Sequence, residues 1–115
     1  MAIIVVIDYP EDFLDELKKR IRNDVNSNWR CDDDGDFTLT IPPFESKAWF
    51  HPYIDEKKLI LGILGRKNVL LTVSEFSAYH SIMLNMLLCN FGKEIKSIQI
   101  LSFLESEYDT RQIDC

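Results

Sequence analysis

The stretch from Glu11 to about Asp24 places its apolar residues at Phe13, Leu14, Leu17 and Ile21, with Val25 one turn further, and nearly every position between them is charged. This spacing predicts an amphipathic helix with one narrow apolar face, and such a face has to be covered by a second layer. Glu11, Asp12, Asp15 and Glu16 fall in its first half and Lys18, Lys19, Arg20 and Arg22 in its second, matching the partial charges at the two helix ends. Upstream, the apolar run Ala2 to Ile7 is too short for a membrane span or a secretory signal core. It predicts a buried strand that hands over to the helix at Asp8-Tyr9-Pro10, because proline is tolerated in a first helical turn.

Beyond the helix the apolar period falls from 3.6 to 2. Trp29-Arg30-Cys31 and Phe37-Thr38-Leu39-Thr40-Ile41 predict two strands joined by a turn at Asp34-Gly35, with Phe37, Leu39 and Ile41 on one face and both threonines on the other. Pro42-Pro43 ends the second strand, since neither residue can donate to a ladder. A second hairpin is expected from Ala48 to Ile54, through Asp55-Glu56-Lys57, to Leu59–Leu64, with Pro52 placing its first strand at an edge or on a bulge. Thr72-Val73-Ser74-Glu75 has the form of a capping box and should open a second helix. Phe76, Tyr79, Met83, Met86 and Leu87 then recur at helical spacing, Ile82, Leu84, Leu88 and Cys89 widen the apolar arc, and Gly92 is placed to end the element. Ile98 to Phe103 predicts a last strand. The expected architecture is an α+β two-layer sandwich over residues 1–104, two helices on one mainly antiparallel sheet of five or six strands, followed by an exposed acidic tail over 105–115.

Composition narrows the function. A chain of 115 residues, 46% hydrophobic, has room for one core. With 13 Lys and Arg against 19 Asp and Glu the formal net charge is −6, which disfavours direct nucleic-acid or anionic-membrane binding and favours cationic partners. Cys31, Cys89 and Cys115 form no Cys-x-x-Cys pair, so a reducing cytoplasm is expected rather than a disulfide framework or a zinc ribbon.

Asp32, Asp33, Asp34 and Asp36 cluster around Gly35. Alternating carboxylates suit a hard cation, but Gly35 comes too early for a calcium loop and the twelfth residue from Asp32 is Pro43, not the closing glutamate. The cluster is therefore read as a solvated turn or a partner-facing acidic patch, and neither a metal nor a cofactor is expected. His51 and His80 could in principle work as an acid and base pair, but no supporting motif accompanies them. Cys89, in an apolar helix, is expected to be a small buried hydrophobe. Gly62 to Gly65 matches neither the phosphate-loop nor the dinucleotide pattern and is read as strand and turn. Alternation sets Trp49 and Phe50 on opposite faces, leaving Trp49 between core and interface and Tyr53 better suited to a wet rim. No nucleophile, base or metal set stands at a recognisable spacing, so a non-catalytic binding protein is expected.

In its overall arrangement from Ile3 to Phe103, with an opening strand and helix, two hairpins, a second helix, a last strand and acidic turn and tail, the chain resembles immunity proteins of bacterial contact-dependent growth inhibition systems. The resemblance implies a cytoplasmic antidote that binds the toxic C-terminal domain of a cognate effector, commonly a nuclease, and covers its active site. Asp32, Asp33, Asp34 and Asp36 would then face the cationic cleft, with Glu45, Trp49 and Tyr53 as neighbouring candidates. The alternative is a small regulatory or ligand-binding α+β domain that dimerises through its sheet.

Overall fold

A computed structural model describes residues 2–101 and the backbone of 113–114. Its strands and helices run in the order β1 (Ala2–Val6), α1 (Pro10–Asn23), β2 (Trp29–Cys31), β3 (Phe37–Leu39), β4 (Ala48–Asp55), β5 (Lys58–Gly65), β6 (Leu71–Thr72), α2 (Val73–Phe91), β7 (Ser97–Leu101) and β8 (Ile113–Asp114). Six strands form one antiparallel sheet in the order β2-β3-β4-β5-β1-β7, while β6 and β8 form a separate parallel pair. The α+β architecture read from the sequence is the one observed.

The helices share one face of the large sheet. Phe13, Leu17 and Ile21 of α1 and Phe76, Tyr79, Met83, Leu87 and Phe91 of α2 join a single buried cluster with Ile3, Val5, Leu59, Leu61, Ile63, Phe50, Phe37 and Leu39. Strand alternation sends the intervening residues to the other face. There Ile60, in register with Tyr53 on one side and Ile4 on the other, is itself buried, between half-buried neighbours.

Local chemistry explains the element ends. Proline opens α1, with Glu11 and Asp12 in its first turn and Arg20 and Arg22 in its last. The Thr72 hydroxyl accepts from the Glu75 amide at 3.1 Å and the Glu75 carboxylate accepts from the Thr72 amide at 3.0 Å, so the capping box forms as expected. Asp55 pairs with Lys58 across a tight turn in which Glu56 takes a positive φ of 55°.

The structure adds detail to several of these expectations and changes some of them. Val25 is not on the α1 stripe but 94% exposed, because the chain turns extended at Asp24 and leaves helical phase. Thr38, in register with the exposed Arg30, is nevertheless fully buried, its hydroxyl donating to the Ala48 carbonyl at 2.7 Å. β4 is interior rather than an edge, yet β3 pairs with it only at Phe50, so Pro52 lies beyond the reach of that ladder. Of the tail expected to be exposed, Ile113 and Asp114 pair with β6; the rest, like the last residues of the predicted strand to Phe103, lies outside the described residues.

The single β3–β4 pair has a physical cause. The Tyr79 hydroxyl, carried up from α2, accepts from the amides of Lys47 at 3.1 Å and Ala48 at 3.2 Å and donates to the Phe44 carbonyl at 2.7 Å, with Thr38 Oγ1 3.2 Å away. A phenol from the opposite layer thus satisfies backbone groups that lie just beyond the end of that short ladder.

Candidate functional site

The aspartate turn is built mostly by its own backbone. The Asp32 amide donates to the Asp36 carbonyl at 2.9 Å and the Gly35 amide to the Asp32 carbonyl at 3.0 Å. The Asp32 carboxylate accepts from the amides of Asp34 at 3.0 Å and Asp36 at 2.9 Å, an Asx turn. Gly35 sits at φ +82°, a conformation that a side chain resists. Asp32 and Gly35 are therefore accounted for by the turn, and the exposed Asp33 and Asp34 carry the outward charge.

Asp36 connects the turn to the sheet. Its side chain is largely buried and its carboxylate contacts Nδ1 of His51 on β4, a charge-assisted pair when the imidazole is protonated. The His51 ring in turn meets the Tyr53 ring edge-on, centroids 4.8 Å apart. Trp49, His51 and Tyr53 alternate along β4 on the face away from the helices, all three half-buried. The structure thus brings Asp32, Asp33, Asp34 and Asp36 together with Tyr53, and with Trp49 further along the same strand, on one side of the molecule. Glu45 is not part of this group. It is exposed on the loop after β3, beyond the opposite end of that strand from the aspartates.

The electrostatics are less one-sided than the sequence suggests. A methyl group at Gly35 would lie 3.4 Å from Lys18 Nζ, so the α1 ammonium stands over the turn. Arg22 of the same helix reaches Cys31 Sγ at 3.5 Å. Burial pushes the Cys31 thiol up from its ordinary value, and Arg22 and Lys18 pull it partly back. The acidic turn is backed by cations and presents its field outward. One carboxylate oxygen each from Asp32, Asp34 and Asp36 lies within 4.8 Å of the others, a grouping compatible with a hard cation.

The two histidines are not brought together. His80 lies in the core, stacked on Phe76 with centroids 4.0 Å apart and edge-on to Phe50 at 5.1 Å, whereas His51 lies on the other face of the same strand. Nδ1 of His80 donates to the Phe76 carbonyl at 2.8 Å, and burial pulls its pKa down to about 4. Cys89 departs from expectation: it is exposed, its thiol 3.6 Å from Asn85 Oδ1.

His51 is the site residue that sequence reasoning missed in its actual role. The signal was the register that sets Phe37 opposite Phe50 and hence Asp36 opposite His51, and the loop between the two strands hides it. No family model, curated protein or solved structure matches the chain. No helix among the described residues is long and apolar enough to cross a membrane.

Proposed function

We propose that the protein is a non-catalytic binding protein of the cytoplasm that neutralises a cognate toxin, holding the cationic active-site cleft of a nuclease-type domain against the surface formed by the 32–36 turn and the outer face of β4. The observation that carries this reading is the Asp36–His51 contact, which ties the acidic turn to the aromatic row Trp49, His51 and Tyr53 so that charge and anchoring side chains lie side by side. Asp33 and Asp34 occupy positions where substrate phosphates would lie and speed association through opposite fields. The aromatic rings supply contact area at low entropic cost. Asp32 and Asp36 act indirectly, by shaping the turn and orienting His51.

The test is co-expression of the tagged full chain with the polypeptide encoded immediately upstream, followed by pull-down across salt concentrations. The expected result is stoichiometric capture of a basic domain, weakened by salt, together with loss of that domain's toxicity. Asp33→Asn with Asp34→Asn should flatten the salt dependence, and Trp49→Ala should speed dissociation with little change in it. Capture that ignores all three substitutions, or toxicity that persists in a stable complex, refutes the reading.

A further inference from the structure

On the helix side of the sheet, α1 and α2 touch through the Phe13 and Phe91 rings, centroids 4.8 Å apart, and through Arg20, which lies over Phe91 and donates to Asn90 at 3.2 Å. Past that contact α1 ends at Asn23, and the short side chains of the following loop leave the space between the helices unfilled. A groove of about 360 Å³ results, within the range of about 300–1,000 Å³ typical of small-molecule sites.

The lining is divided. Half-buried Ile82 and Met86 contribute apolar surface above the nearly closed Ile21 and Trp29, while the polar edges carry the carboxamides of Asn26, Asn28 and Asn85. Among the described residues the Asn26 and Asn28 side chains engage no hydrogen-bonding partner, and Asn85 only the Cys89 thiol through its oxygen. Each carboxamide offers one donor group beside one acceptor and so pairs in two bonds with a ligand edge of the same kind. Formal charge is sparse: Arg20 is held by Asn90 and Phe91, and Asp24 accepts from the Asn26 amide at 2.9 Å. A ligand bearing phosphate would meet Asp24 and the field of a chain of net charge −6.

We propose that the groove between α1 and α2 binds an uncharged nitrogen heterocycle of nucleobase size, its flat faces against the apolar lining and its amide-like edge paired with Asn85 and the 26–28 loop. This site lies on the opposite side of the sheet from the outer face of β4, and the proposal is independent of the toxin-binding reading.

The molecule provides its own control, because its two tryptophans, Trp29 and Trp49, lie on opposite faces of the sheet. Adenosine and uridine, with AMP as the charged counterpart, are titrated into the full-length ¹⁵N-labelled chain while the two indole N–H resonances are followed. At least one nucleoside should shift the Trp29 indole saturably, leave Trp49 in place and slow alkylation of the exposed Cys89 at the groove's edge. AMP should bind more weakly than adenosine, and Asn85→Leu, a change at an exposed position that leaves the remaining spectrum intact, should weaken binding roughly tenfold or more. The proposal is overturned if neither nucleoside moves Trp29 at millimolar concentration, if Trp49 moves equally, if AMP binds as well as adenosine, or if Asn85→Leu binds like the parent.

Discussion

Lowering the pH should destabilise the fold through His80 before the acid range of the carboxylates is reached. In the folded chain Nδ1 is committed to the Phe76 carbonyl, and among the described residues Nε2 is buried without a partner, so the neutral ring fits and the imidazolium leaves a charged N–H in an apolar setting. The folded pKa of about 4 lies below the ordinary 6.5, so the unfolded chain binds the proton more tightly and stability falls as pH falls from about 6.5 towards 4. Integrating between those values gives a loss of about 0.8 kcal/mol at pH 6, about 2 kcal/mol at pH 5 and about 3 kcal/mol at pH 4. Asp8 enters only at the lower end of this window: its hydrogen bond to Lys96 holds its carboxyl below its ordinary value of 3.8, so its stabilisation is lost as pH falls towards and below that value. The assay is urea unfolding of the full chain and of His80→Phe at pH 7, 6, 5 and 4, compared as the difference in slope, so that any constant repacking offset cancels. The variant should lose the His80 share of the pH dependence. Parallel profiles for the two proteins, or an imidazole resonance of His80 titrating near pH 6.5, would refute the argument that burial keeps this ring neutral.

Further outcomes follow from the same contacts. Tyr79→Phe should cost about 1–3 kcal/mol, because it leaves the Lys47 and Ala48 amides and the Phe44 carbonyl without their phenol, measurable by thermal or urea unfolding. Thr72→Ala should cost about 1 kcal/mol by removing the α2 cap, while Glu75→Gln, which keeps the capping geometry and loses only the Arg66 ion pair at 3.3 Å, should cost less. Gly35→Ala should destabilise the turn by about 1–2 kcal/mol through its positive φ and shift the amide resonances of residues 32–36 before any others.

The helices were legible because their signals are local. The α1 stripe carries its charge gradient and opening proline in consecutive residues, and the α2 cap is spelled out in four. The β4–β5 hairpin was legible for the same reason, since a short turn between alternating runs fixes the register. The site was harder to see. Asp36 meets His51 across strands joined by a long loop, so neither residue announces the other, and Lys18 reaches the turn from a helix. Cys89 was misplaced because α2 is apolar around most of its circumference, which leaves its buried face without a clear phase. The groove between the helices was invisible to pattern reading altogether, because sequence periodicity reports which residues face inward but not where two inward faces fail to meet.

The Tyr79 phenol also fixes an order in which the molecule should come apart. With only Phe37 paired to Phe50, the β2–β3 hairpin is held to the rest of the sheet by one backbone pair, by the Thr38 hydroxyl, which meets the Ala48 carbonyl and the Tyr79 phenol, and by the Asp36–His51 contact. Its amides should therefore exchange with solvent through a small opening that leaves β4, β5, β1 and β7 protected, and Tyr79→Phe should widen that gap in exchange rate. The hairpin bearing the aspartates would then behave as a separate foldon, able to adjust to whatever it meets while the frame behind it stays closed.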